Sequence, residues 1–317
     1  MDKHLNFTVC FLSVLVLLSC KQKTQISQPT IGYERLLCDQ NLKYVISQEE
    51  DIFELNYKYA ELDIHYYNET EVFKRLGTDS MTTAISCRPL TEGEVNYFIK
   101  NQVHPRHFPF AVGAIGLLIN RNAKDSTIQY EAFESICKGL PVKNAPFHSI
   151  VIEDIGSGIA HYLLQKFYLD SFGKNVYTLK DKDALFNYLT QDPGIIAIVD
   201  WSEFSDSDDR KQQQRLQGLK RLAISRPKDS LQMGYLLPDQ YLFQDQKYPL
   251  TRTLYFISVS GKSDLGIGFA SFVTGEIGQK VLLKAGLLPL FQTDRWIELK
   301  SSPFKAVSYT HLTLPTN

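Results

Sequence analysis

The chain has 317 residues, 44% hydrophobic and 22% charged, with Lys+Arg at 34 against Asp+Glu at 35. This is globular composition, long enough for two lobes, and it excludes disordered, collagen-like and coiled-coil classes. A net charge of -1 with both signs interspersed provides no global field to gather nucleic acid, so a bound anion has to be held by local geometry.

At the N-terminus, Lys3 and His4 precede an apolar run over residues 5–18, broken only by Asn6, Thr8 and Ser13. It is too short to span a bilayer as an ordinary helix, and residues 1–19 read as a secretory signal. Leu17-Leu18-Ser19-Cys20 resembles the lipobox of bacterial lipoproteins, which implies cleavage before Cys20 and lipid on its sulfur. Residues 20–30 then form a polar tether holding the protein to a membrane in the periplasm. Lys21-Gln22-Lys23 lacks the acidic residues that resemble a surface-export signal, which favours a periplasm-facing anchor. With Cys10 gone and Cys20 lipidated, Cys38, Cys87 and Cys137 remain, an odd number without a C-x-x-C pair. No closed disulfide framework follows, and small buried hydrophobes are expected, with a single Cys38–Cys87 bridge left open.

From residue 31 onward short apolar runs alternate with helical stretches, the α/β pattern. Residues 34–38 read as a strand, followed by an amphipathic helix capped by Asn41. A strand over 62–66, a helix over 69–76, a strand over 83–87 and a helix from the Thr91 cap to Lys100 come next. His104-Pro105-Arg106-His107 reads as loop, and the apolar run 110–119 as a buried strand. Then follow a helix over 130–138, a strand over 148–153, helices over 159–167 and 180–190, and a buried strand over 195–199. Residues 202–217 are polar surface. Within them Asp206-Ser207-Asp208-Asp209 lacks the glycine and terminal glutamate of a calcium loop. A strand over 254–259 and a helix or helix pair over 266–283 complete the pattern. Residues 307–317 look like the translation of a sequencing-library adapter and are excluded from the fold.

No G-x-S-x-G elbow, H-E-x-x-H, Walker loop or G-x-G-x-x-G after a strand is present, so no enzyme, metal or cofactor is expected. What remains is a set of polar loops at helix starts and strand ends. Gly156-Ser157-Gly158 opens a helix, where unpaired N–H groups and the positive dipole end attract an anion; a plain Ser157 N-cap explains the same residues. Gln40-Asn41 offers similar geometry. Ser86-Cys87-Arg88-Pro89 puts a hydroxyl and a guanidinium at the carboxyl end of a strand, where open α/β sheets bind ligands.

In order and spacing these pieces resemble the solute-binding proteins of phosphate-type ABC importers, specifically short lipoprotein members common in Bacteroidota. The matching stretches include Cys38-Asp39-Gln40-Asn41-Leu42, Ser86-Cys87-Arg88-Pro89-Leu90-Thr91, Ser157-Gly158-Ile159-Ala160, Tyr248-Pro249-Leu250-Thr251-Arg252 and Gly266-Ile267-Gly268-Phe269-Ala270-Ser271-Phe272. The resemblance implies a type II periplasmic-binding-protein fold, with two α/β lobes joined by two hinge crossovers. Lobe 1 is expected over 31–119 plus 250–305 and lobe 2 over 120–249. It also implies a monomer that captures inorganic phosphate or a related oxyanion in the cleft and presents it to an ABC permease. The implied ligand contacts are Gln40, Asn41, Ser86 and Arg88 from the first lobe and Ser157, Gly158 and Ile159 from the second. Two positions depart from the better-studied phosphate binders, since Glu153 stands where they carry arginine and Ile159 where they carry threonine. A carboxylate at 153 repels a dianion unless it is paired or faces away.

Overall fold

A computed structural model describes residues 27–78, 81–142 and 146–291. The expected signal, the lipidated Cys20 and the adapter-like tail lie outside the described residues. The first strands, β1 (Ile31–Asp39), β2 (Tyr59–Tyr67) and β3 (Thr83–Ser86), run parallel. They are linked by α1 (Lys43–Asn56) and α2 (Glu69–Arg75). Parallel strands need such crossovers, and helices then cover the sheet. On β1, Leu36 and Cys38 enter one apolar cluster and Leu37 another, as the two-residue period of a strand buried on both faces requires.

After α3 (Glu92–Lys100), closed at its start by a capping box of Thr91 and Glu94, the chain enters β4 (Arg106–Asn120), 15 residues long. His104-Pro105-Arg106-His107 is therefore loop only in its first half, because Arg106 and His107 pair with Ser258 and Ile257. Strand β4 carries the chain from one lobe to the other. Its residues 106–114 pair with β12 (Thr251–Ser258), and its residues 115–118 pair with β8 (Ile195–Asp200). With β6 (Ser149–Ile152) and β7 (Val176–Thr178), the lobes thereby share one ten-stranded sheet of order β2-β1-β3-β12-β4-β8-β6-β7, with β9 (Leu219–Arg221) and β13 (Leu288–Pro289) branching from β4.

Lobe 2 holds α4 (Tyr130–Cys137), β6 (Ser149–Ile152), α5 (Gly158–Lys166), β7 (Val176–Thr178), α6 (Lys182–Gln191) and α7 (Arg210–Arg215). A three-stranded sheet of β5 (Thr127–Ile128), β10 (Ala223–Ser225) and β11 (Tyr235–Leu236) flanks it. Its core includes the fully buried Phe133, Phe147, Phe204 and Tyr248. Each apolar ring of this size contributes about 1.5–3 kcal/mol by burial. The chain returns to lobe 1 through β12 and continues into α8 (Leu265–Thr274) and α9 (Glu276–Lys284), the two-helix form of the 266–283 expectation. Gly286 closes α9 at φ 71°, a backbone that favours glycine.

At the crossover, Arg252 of β12 is buried and ion-paired with Asp200 at the end of β8. Its Nε and Nη1 have no hydrogen-bond partner. The pair ties the hinge strand to lobe 2 in a place where removing either charge leaves the other buried and uncompensated.

Candidate functional site

The helix α5 starts at the lobe interface and points its amino end toward lobe 1. Ser157 is its N-cap: the hydroxyl accepts from Ala160 N–H at 3.3 Å and donates to the Asp154 carbonyl at 2.6 Å. The plain capping role therefore accounts for Ser157. The two N–H groups before Ala160 leave the lobe instead. Gly158 donates to Asp39 Oδ2 at 3.1 Å and Ile159 to Asn41 Oδ1 at 3.3 Å.

Those acceptors come from the carboxyl end of β1. Asp39, not Asn41, caps the turn that follows, since its Oδ1 accepts from Asn41 N–H at 3.1 Å and a 3-10 turn at Gln40–Leu42 precedes α1. With its backbone held there, the Asn41 side chain is free to reach α5. This corrects the expected Asn41 cap. Asp39 is fully buried, and burial, reinforced by nearby Glu69 and opposed by Arg252, pushes its carboxyl up to about 7.

Glu69, the first residue of α2, gathers the remaining predicted donors. It accepts from Ser86 Oγ at 2.8 Å and from Arg88 Nε at 3.3 Å, and it meets His161 Nδ1 of α5 at 2.8 Å. Burial pushes its carboxyl up, but the bonds from His161, Arg88 and Ser86 outweigh that and hold it below the usual carboxylate range. Arg88 also chelates Glu94 at 2.8 and 3.0 Å and stacks on Phe73 with its guanidinium 3.8 Å from the ring centre. Further cross-lobe bonds join Asn68 to Asp154, Thr70 N–H to the Gly156 carbonyl, and Tyr44 to Asp209.

The structure thus brings Asn41, Ser86, Arg88, Ser157, Gly158 and Ile159 to one interface, but gives each a partner within the chain. Gln40 lies apart from this ring, lining the outer cleft. Beside Asn41, Ser157 and Ile159 only about 10 Å³ remains, room for one water. Glu153 borders that void and pairs with Lys182 at 3.6 Å, so its charge is matched in place. The bridge left open between Cys38 and Cys87 is not made, and both thiols are free and buried. Burial pushes both well above the usual thiol range, and Cys87 Sγ donates toward Asp39 Oδ2 at 3.6 Å. Sequence reasoning missed Asp39, Glu69, His161 and Arg252 as interface residues. Only Asp39 carried a signal, an acidic side chain at a strand end beside the Gln40-Asn41 turn. Among the described residues no group of three or more His, Cys, Asp or Glu side chains is placed to hold a metal, and no helix is long and apolar enough to cross a membrane.

Two α/β lobes on one sheet, hinged at two crossovers and meeting through helix and strand ends, define a two-lobed ligand-binding protein. Residues 23–276 match the sequence model of a family described as a PBP superfamily domain, and the chain belongs to this superfamily of periplasmic binding proteins. No curated protein matches it significantly by sequence. Among solved structures, it is similar to a Clostridium perfringens protein described as a phosphate ABC transporter substrate-binding protein with bound phosphate. That match has a TM-score of 0.65 at 13% identity, covering 82% of this chain and 100% of the other. An ABC-type phosphate transport receptor of Vibrio cholerae matches at TM-score 0.61 and 11% identity, over 81% of this chain and 100% of that one. An H2O2-bound OxyR mutant of Corynebacterium glutamicum matches at TM-score 0.52 and 13% identity, over 90% of this chain and 76% of that one. At such identities the likeness concerns the fold.

Proposed function

We propose that this chain is a lipid-anchored solute-binding protein of the periplasm that captures inorganic phosphate or a related oxyanion between its lobes. It presents the ligand to an ABC permease and catalyses nothing. Lobe 1 is taken as 31–119 plus 250–305 and lobe 2 as 120–249. The observation that carries the reading is the pair of N–H bonds from Gly158 and Ile159 across the cleft, one of them to a carboxylate. A helix amino end favours a negative group, and this one is satisfied by lobe 1 only while the lobes are shut. Opening the hinge frees those N–H groups, and separates His161 from Glu69, so an oxyanion entering the open cleft meets unpaired donors. Asn41, Ser86 and Arg88 of lobe 1 supply the remaining contacts, and ligand held by both lobes shifts the population toward closure.

The carboxylate of Asp39 supplies selectivity. A protonated phosphate donates a hydrogen bond to it, whereas sulfate has no proton to offer and meets an unpaired charge. Titration calorimetry with phosphate, sulfate and molybdate tests the reading. Heat with phosphate and none with sulfate is expected, and no heat with any of the three overturns it.

A second reading, a non-transport sensor or scaffold of the same fold without anion binding, is favoured by one observation: the donors already have partners inside the chain. Under it the native protein gives no heat with phosphate, and Glu153→Arg combined with Ile159→Thr creates phosphate affinity that the native chain lacks.

A further inference from the structure

Outside the sealed helix end, the cleft widens into a chamber of about 480 Å³ between the lobes, within the range of small-molecule sites, roughly 300–1,000 Å³. Gln40, Lys43 and Tyr66 of lobe 1 face Glu153, Lys182 and Arg215 of lobe 2 across it. Asn41, Glu153 and Lys182 border both the chamber and the void beside Ser157 and Ile159, so a ligand whose head reaches the start of α5 has the chamber for its body.

The chamber differs in chemistry from a bare phosphate pocket. Three cations, Lys43, Lys182 and Arg215, line it with two carboxylates, Glu153 and Glu203, and Asp183 holds Arg215 from outside the lining at 3.2 Å, so of the three cations only Lys43 has no carboxylate partner among the described residues. Lys182 lies between Glu203 and Glu153, and Arg215 meets Glu203 at 3.5 Å. The Lys43 ammonium instead sits over the Tyr66 ring, 5.3 Å from its centre. The carboxamides of Gln40 and Gln212 add donors and acceptors. An inorganic phosphate held at α5 reaches only Asn41, Glu153 and Lys182 at the mouth of the chamber and leaves Lys43, Glu203, Gln212 and Arg215 without a contact. For a ligand with hydroxyl groups the same carboxylates become acceptors, and the Lys43 ammonium, without a carboxylate of its own, is available to an anionic group.

We propose that the physiological ligand class is a phosphomonoester of a small polyol or sugar, with its phosphate at the start of α5 and its hydroxyls against Glu153, Glu203 and Gln212. The proposal rests on the oxyanion reading above and narrows it. It also gives the departure at Glu153 a purpose, since a site built to hydrogen-bond hydroxyls rejects an analogue that lacks them.

Titration calorimetry on the full chain with inorganic phosphate, sn-glycerol 3-phosphate and glucose 6-phosphate tests it. At least one ester is expected to bind ten-fold or more tightly than phosphate. Glu153→Ala and Gln212→Ala, each checked for an unchanged unfolding midpoint, are expected to lower the ester-to-phosphate affinity ratio five-fold or more. Phosphate binding as tightly as both esters overturns this proposal and leaves the oxyanion reading standing. An ester preference that neither variant reduces overturns the assignment to the chamber. Absence of binding by all three ligands overturns this proposal, and where sulfate and molybdate give no heat either, the oxyanion reading falls with it.

Discussion

Strand β1 carries two acidic side chains, and each fills the amino end of a helix. Glu34 accepts from Gly266 N–H at 2.9 Å at the start of α8, and Asp39 accepts from Gly158 N–H at 3.1 Å at the start of α5. The electrostatics are alike, a negative group against a positive helix end. The mechanics are opposite. At α8 no partner comes from lobe 2: Ser27 Oγ, just ahead of β1, accepts from Leu265 N–H at 2.8 Å and Asp264 from Ile267 N–H at 3.1 Å. At α5 the Ser157 cap is local to lobe 2, whereas Asp39 and Asn41 reach across from lobe 1. A helix end becomes a ligand site when its partner sits on a different rigid body, because only then does hinge motion release the donors.

Glycine substitutions test this contrast with the largest expected effect. A Cβ at Gly266 comes within 2.5 Å of Thr83 Oγ1 and 2.9 Å of Glu34 Oε1, all in lobe 1, where no hinge motion relieves it. Gly266→Ala is expected to lose about 1–3 kcal/mol by overpacking, read by urea or thermal unfolding. At Gly158 a Cβ collides with Asp39 Oδ2 of the other lobe, and parting the lobes removes the collision. Gly158→Ala is therefore expected to lose under about 1 kcal/mol while its radius of gyration in X-ray scattering rises. Equal losses in the two variants, with Gly158→Ala still compact, break the comparison.

Acidity gives the second test. The Asp39 carboxyl is raised from 3.8 to about 7 in the folded chain. A raised carboxyl binds its proton more tightly when folded, so its stabilising contribution is complete below 3.8 and is lost as pH rises through about 7. Between about pH 6 and 8 this amounts to about 1 kcal/mol. The unfolding midpoint should fall across that interval, and Asp39→Asn should flatten the fall. Glu49, buried without a hydrogen-bond partner and pushed up to about 9 by burial, acts with the same sign, so the difference between the native and Asp39→Asn curves isolates Asp39. Identical slopes in the two proteins remove Asp39 from the α5 seal.

The smallest effect concerns the local cap. Ser157→Ala should cost about 1 kcal/mol of stability with little change in scattering, because Ser157 bonds only within lobe 2. An open scattering profile for Ser157→Ala places Ser157 in the closure contact and blurs the contrast.

Much of the fold was legible in the amino-acid order. The alternation over 31–100 marks β1, β2, β3 and their helices, and Thr91 with Glu94 marks a capping box, because these features depend on neighbours two to four residues apart. The short strands β5, β7, β9, β10, β11 and β13, two or three residues each, were not, since so few residues show no period. The loops of the site were legible as well, but their partners were not. Gly158 and Asp39 lie 119 residues apart, and His161 and Glu69 lie 92 apart.

The sequence by itself determined that this is an α/β chain with helix starts and strand ends rich in polar residues, and its family resemblance implied the two lobes. Periodicity, capping residues and turn glycines act locally, so they can be read in one dimension. Only the tertiary structure decided that β4 joins both lobes into one sheet, that Cys38 and Cys87 stay apart as free thiols, and that Glu153 is matched by Lys182. It alone placed Asp39 at the start of α5. Which charge meets which depends on how the chain folds back on itself, and burial then sets the strength of each encounter.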